Sequence, residues 1–188
     1  MNERNIISSA LHEHLSALEL VKSMTEDILE AGTLIKSKCR EGRTLFICGN
    51  GGSAADSQHY AAELTGRFEK ERKGFPAIAL TTDTSALTAI GNDYGFDRIF
   101  SRQLEALSNP DDILMVISTS GNSPNLIRAV EYAKANSIFT IALLGKDGGT
   151  LGKMVDLPLI VTSNRTARIQ EMHITIIHIL CELFESKI

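Results

Sequence analysis

Apolar residues are gathered into five short runs, at positions 45–48, 76–80, 113–117, 139–144 and 157–161, with longer stretches of helical spacing around them. Runs this short, closed by glycines or hydroxyl residues, predict strands buried on both faces of a parallel sheet. Between them the apolar spacing changes to three and four. Ile7, Leu11, Leu15, Leu18 and Val21 predict a helix over 3–22. A second helix is expected from Ser23, where Ser23-x-x-Glu26 resembles a capping box, through Ile28, Leu29, Leu34 and Ile35 to Cys39. Further helices are expected after Ser53, over 85–90, over 100–107 and from Pro124, with Ser123 as its N-cap. Residues 91–95, Gly-Asn-Asp-Tyr-Gly, read as a polar loop. The last helix, 166–185, is apolar nearly all round, which predicts burial on most sides with another subunit's help.

Strands alternating with helices through short loops give an α/β fold, a parallel sheet covered on both faces by right-handed crossovers. Two helices before the first strand exceed what such a unit needs, so residues 1–40 read as a helical arm in an oligomer interface. Packing on their own sheet is the alternative. At 188 residues the whole chain, 1–188, fits one domain, and 43% hydrophobic residues supply a full core. The net charge is −4 with no Lys/Arg cluster, which argues against a nucleic-acid surface. An anionic substrate must then be held by local dipoles and hydroxyls. Cys39, Cys48 and Cys181 are scattered in apolar elements and read as buried thiols of a reducing compartment. The N-terminus shows no signal-peptide pattern and no apolar run approaches ~18–20 residues, so no membrane partner and a cytoplasmic location are expected.

The chemistry concentrates at 44–67, TLFICGNGGSAADSQHYAAELTGR, a strand, a glycine turn and a helix. Gly49, Gly51 and Gly52 let the backbone turn and a ligand approach. Ser53 is placed as N-cap of a helix whose free N–H groups favour an anion. His59 and Glu63 share one helix face, a spacing that suits one metal or one proton-transfer step. Glu63 and Arg67 share the same spacing, and an ordinary ion pair there is worth only ~0.3–0.5 kcal/mol. Gly49-x-Gly51-x-x-Ala54 fits a relaxed dinucleotide pattern, but that pattern wants an acidic residue about 20 positions on at the end of the second strand, and the nearest candidate at a strand end, Asp83, lies well beyond. The third strand runs into Ser118-Thr119-Ser120-Gly121-Asn122-Ser123-Pro124, four hydroxyls with a helix N-terminus, equipment for a phosphate without lysine. It lacks the Gly-Lys-Ser/Thr of a nucleotide loop. Both loops fall at the carboxyl ends of strands, where ligands sit in such sheets, and are taken as one site. Asn92 and Asp93 can bind a polyol or simply make a turn. His12 and His14 read as solvated. Spacing pairs His178 with Glu171 on its own face; Gln170 is about 80° round an ideal helix.

Taken together, CGNGGSAADSQHYAAELTGRF, GNDYGF, ISTSGNS, ALLGKDGG and ARIQEMHITIIHIL resemble the phosphoheptose isomerases of the sugar isomerase (SIS) fold, over essentially the whole chain. The resemblance implies a three-layer α/β/α sandwich with a five-stranded parallel sheet, and a homotetramer with active sites at subunit boundaries. It implies Glu63 and His178 as the acid/base pair, and one zinc per subunit on His59, Glu63, Gln170 and His178, preferring Gln170 to Glu171. Substrate contacts would come from Asn50, Gly51, Gly52, Ser53, Glu63, Asn92, Asp93, Ser118, Thr119, Ser120, Ser123 and Gln170. The reaction implied converts sedoheptulose 7-phosphate, a small sugar phosphate, to D-glycero-D-manno-heptose 7-phosphate. It opens the route to nucleotide-activated heptose for lipopolysaccharide or capsule. A similar paralogue that binds the bacterial replication initiator is the alternative; the resemblance implies that it lacks counterparts of Glu63 and His178. Ala167 departs from isomerases that carry an acidic residue there, which removes any side-chain role expected for that loop.

Overall fold

The computed structural model describes residues 2–186, so the outermost positions of the expected 1–188 domain lie outside it. Two helices come first, α1 (Glu3–Ser23) and α2 (Thr25–Arg40). The strands are β1 (Leu45–Gly49), β2 (Ala77–Ala79), β3 (Ile113–Ser118), β4 (Phe139–Gly145) and β5 (Leu157–Val161). The remaining helices are α3 (Gly52–Thr65), α4 (Thr84–Tyr94), α5 (Ser101–Leu107), α6 (Pro124–Ala135) and α7 (Thr166–Glu185). The strands form one parallel sheet in the order β2-β1-β3-β4-β5.

The alternation of side chains along each strand divides the core in two. Leu45, Ile47, Ile113, Met115, Ile117, Ile141 and Leu143 face α1, α2, α3 and α7. Phe46, Cys48, Leu114, Val116, Ala142 and Leu144 face α5 and α6, with Leu87 and Ile90 of α4 at the margin. These are the three layers expected. All three thiols are free and buried, and burial pushes those of Cys39 and Cys181 up to about 12.

Three local expectations are corrected. Residues 91–94 are not a loop: Asp83 Oδ1 accepts the Ala86 N–H at 2.9 Å, and the capped helix runs through them to Gly95, whose φ of 94° ends it. Asn92 and Asp93 therefore ride on the last helical turn. The capping box at Ser23 does not form, because its hydroxyl donates back to the Leu20 carbonyl (2.7 Å) and α2 starts at Thr25 without a side-chain cap. β2 is an edge strand of three residues, with Ile78 40% exposed rather than buried. Of the α1 stripe only the C-terminal part is covered: Ile7, Leu11 and Leu15 are 62%, 62% and 61% exposed, while Ala17 and Val21 are buried in the core and the helix lies along α7.

His173, inside α7, is fully buried, and its Nε2 meets the Leu144 carbonyl at 3.1 Å, joining the helix to the end of β4. Burial lowers its pKa from 6.5 to about 4, partly opposed by that hydrogen bond. Above pH ~6.5 both folded and unfolded chains hold it neutral. Below that, the unfolded chain takes the proton first, so stability should fall as pH drops from ~6.5 to 4, by about 3 kcal/mol in all. The slope of unfolding free energy against pH, measured on chelator-treated protein between pH 7 and 4.5, should flatten in His173→Asn. An unchanged slope would show that His173 is not the group responsible.

Candidate active site

β1 and β3 are neighbours with Gly49 level with Ile117, so residues 50–52 and 118–123 leave the sheet side by side. Two amides lock these loops together. Asn50 Nδ2 donates to Asn125 Oδ1 at 3.0 Å, and Asn125 Nδ2 donates to Asn50 Oδ1 at 2.9 Å. Asn125 is buried in the first turn of α6 and was not among the expected site residues. Its only sequence signal is a polar residue just inside a helix start, which ordinary helix ends also show.

Gly51 has φ 58° and ψ −122°, a conformation closed to side-chain-bearing residues. That turn lets the helix begin two residues early. Gly51 takes the cap position and Ser53 is the second helical residue, buried, its carbonyl accepting the Ser57 hydroxyl at 2.8 Å. Gly52 leaves room for α7: a Cβ there would run into the Gln170 side-chain amide unless that side chain shifted. α7 is thereby brought against the glycine loop.

In the serine loop, Ser118 Oγ accepts the Gly121 N–H (3.1 Å) and Ser120 Oγ accepts the Asn122 N–H (3.3 Å). Both hydroxyls keep their own hydrogens to offer a ligand. Asn122 Oδ1 accepts the Thr150 N–H (2.9 Å) and hydroxyl (2.8 Å), fixing the loop to the turn after β4. Ser123 and Pro124 stand at the cap and first helical positions, as expected, and the Ser123 hydroxyl makes no cap bond. Thr119 is half-buried beside them.

His59, Glu63 and His178 come together. His59 Nε2 lies 3.0 Å from His178 Nε2 and 3.4 Å from Glu63 Oε1. The side chains of His59 and Glu63 are 42% and 23% exposed, so the cluster opens to solvent. Glu63 does not pair with Arg67, which turns to Glu71 at 3.7 Å. Glu171 does not join His178 either. It holds His14 Nδ1 and Arg168 Nη2, both at 2.7 Å, so His14 is hydrogen-bonded to a carboxylate rather than simply solvated. Gln170, against Gly52, is the residue of the two that faces the glycine loop. Asp56, one turn before His59, has a buried carboxylate oxygen without a hydrogen-bond partner; burial raises its pKa and His59 partly offsets this.

Among the described residues, no group of three or more His, Cys, Asp and Glu side chains is arranged to hold a metal. The cluster is a pair of facing imidazoles with a carboxylate at its edge. Asn92 and Asp93 are exposed, and their side chains bond each other at 2.8 Å rather than the glycine loop or the imidazole pair.

The SIS domain family model matches residues 11–145. The phosphoheptose isomerase of Helicobacter hepaticus is 50% identical over 184 residues, covering 98% of this chain and 94% of its own length. The chain belongs to the phosphoheptose isomerase family. Solved structures agree. The Neisseria gonorrhoeae phosphoheptose isomerase matches at TM-score 0.93 and 46% identity, covering 98% of this chain and all of its own. The Francisella tularensis enzyme matches at 0.95 and 41% identity, covering both chains completely. Membership of this family makes the fold an SIS fold and the protein a phosphosugar isomerase. The initiator-binding alternative gains no support from these relatives. Among the described residues no helix is long and apolar enough to cross a membrane.

Proposed function

We propose that this chain interconverts D-sedoheptulose 7-phosphate and D-glycero-D-manno-heptose 7-phosphate through an enediol, as the first step toward nucleotide-activated heptose for lipopolysaccharide or capsule. The observation that carries the reading is the meeting of Glu63 and His178, from two different helices, at the His59 imidazole. Moving a proton between C1 and C2 needs one base close to both carbons and an acid close to both oxygens. Glu63 is the base and His178 the acid. The serine loop takes the phosphate at the N-terminus of α6 through Ser118, Thr119, Ser120 and Ser123, holding the far end of the substrate so that the reacting end is oriented. Asn50, Gly51, Gly52, Ser53 and Gln170 line the sugar, with Asn92 and Asp93 reaching it from the end of α4.

His59, Glu63, Gln170 and His178 are the residues that would hold one zinc per subunit. The fit rests on the donor set, two imidazoles, a carboxylate and an amide oxygen, with the two ring nitrogens facing each other at 3.0 Å. Bound zinc would supply a Lewis acid to the substrate oxygens. The exposed stripe of Ile7, Leu11 and Leu15 on α1 supports a homotetramer with residues 1–40 in its interfaces. The scattered buried thiols support a cytoplasmic enzyme.

Purified protein supplied with sedoheptulose 7-phosphate should yield the aldose, and elemental analysis should find about one zinc per subunit as the family resemblance implies, most of it lost in His59→Ala. Absence of turnover with this substrate would sink the functional reading. Active protein free of transition metal would sink the ligand assignment alone.

A further inference from the structure

Between α3 and β2 the chain runs through residues 66–75 without helix or strand. The segment is nevertheless tied down, at its end by the Phe75 N–H on the Leu64 carbonyl (3.0 Å) and over most of its length at Glu185, in the last turn of α7. The Glu185 carboxylate accepts the backbone N–H groups of Phe68 (3.1 Å), Glu69 (3.0 Å) and Lys70 (2.8 Å), and Arg72 Nε at 2.8 Å. Arg72 donates onward to the carbonyls of Glu63 (2.7 Å) and Leu64 (3.0 Å), and its guanidinium lies over the rings of Phe75 and Phe184. Both charged side chains are only 3% exposed. One buried ion pair thus joins the end of α7, the strap and the turn of α3 that carries Glu63.

The strap has one aromatic side chain aimed at the site. The Phe68 ring stacks on the His178 imidazole, with centroids 5.8 Å apart and planes 27° from parallel. His59 lies against His178 as well, 5.1 Å between centroids and tilted by 60°. The imidazole is therefore in contact with both rings. The second side-chain torsion of histidine is intrinsically broad, so an imidazole without neighbours sweeps a wide arc. A flat ring laid on its face narrows that arc.

We propose that Phe68 is a positioning residue for His178: its ring, held in place by the Glu185–Arg72 pair, sets the plane of the imidazole so that Nε2 points into the His59–Glu63 cluster. The proposal rests on the catalytic role given to His178 above. Phe68 touches neither substrate nor reacting atoms in this assignment; it acts through the imidazole. Because its anchor to Glu185 is a backbone N–H, changing the side chain leaves the anchor intact.

Phe68→Leu keeps apolar bulk and removes the ring. It should lower kcat by ~10- to 100-fold with KM within about twofold, the pattern of a misaligned group whose contribution is made only in the transition state. Phe68→Tyr should recover most of that loss. Phe75→Leu, in the same strap but packed on Phe184 rather than His178, should reduce thermal stability while leaving kcat nearly unchanged. A second readout is independent of turnover. In chelator-treated protein, the His178 ring C–H resonances should sit upfield in the current of the Phe68 ring, move downfield in Phe68→Leu, and stay in place in Phe75→Leu. The idea is overturned if Phe68→Leu turns over at the parent rate, or if its His178 resonances move no more than those of Phe75→Leu. A parent protein inactive on sugar phosphates would remove the functional reading, and the resonances would still decide the contact between Phe68 and His178.

Discussion

Glu63→Gln should lose turnover by ~10²–10⁴-fold, the usual cost of removing a general base, while keeping its fold and its affinity for a sugar phosphate. Glutamine preserves the length of the side chain and one acceptor oxygen near His59, now 3.4 Å from Glu63 Oε1. It cannot take a proton from carbon at neutral pH. Phosphate affinity should survive because the serine loop is built on a different strand and helix, and its internal bonds from Ser118, Ser120 and Asn122 do not involve Glu63. Exchange of the substrate's C1 and C2 protons with deuterated water should vanish together with turnover, since both begin with the same abstraction. Zinc has to be measured on the same sample, because Glu63 is also an assigned ligand. A zinc-replete Glu63→Gln protein that isomerises at the parent rate would take Glu63 out of the mechanism.

The second large effect is on stability, in Glu185→Gln. Burial pushes the Glu185 carboxyl up, but hydrogen bonds from the backbone of Lys70, Glu69 and Phe68 and from Arg72 outweigh it, and the group titrates below the usual carboxylate range. It is charged at neutral pH and neutralises a guanidinium that is itself nearly inaccessible. Removing one partner of such a pair leaves the other as an uncompensated buried charge, at a cost of about 3–5 kcal/mol. For a chain of this size that corresponds to a fall in melting temperature of roughly 6–20 °C. The damage should also reach the site, since the same pair holds Phe68 on His178 and the Glu63 carbonyl on Arg72. A melting temperature within about 2 °C of the parent would show that the strap is held by its aromatic contacts alone.

The fold was written in the sequence almost without ambiguity. Five apolar runs of strand length and helical spacing between them leave one economical solution, a parallel sheet covered on both faces, and the observed layers and core follow it. The loops at the carboxyl ends of β1 and β3 were legible for the same reason, because glycine and serine clusters at strand ends are local signals. Local signals were also where the sequence misled. Gly-Asn-Asp-Tyr-Gly looks like a turn, yet one capping carboxylate at Asp83 and the lack of a proline let the helix continue through it. Ser53 looks like an N-cap, yet the positive φ of Gly51 moves the helix start.

What only the tertiary structure decided are pairings between distant segments. Spacing on α7 favoured Glu171 over Gln170 as the partner of His178, and the structure places Glu171 elsewhere. Packing chose, because Gln170 abuts Gly52 and Glu171 is held by His14 from α1. The amide lock of Asn50 with Asn125, the burial of Arg72 with Glu185 and the stacking of Phe68 on His178 join residues 75, 113 and 110 positions apart. No periodicity carries such information. A helix or strand pattern states which face of an element is apolar, while the partner each polar group meets depends on how whole elements settle against one another. The sequence by itself therefore determined the layers, the two loops and the chemistry on offer. The three-dimensional packing decided that the His178 imidazole meets His59 beside Glu63, because that is set by how α3 packs on α7 and by a strap whose anchor lies at the far end of the chain.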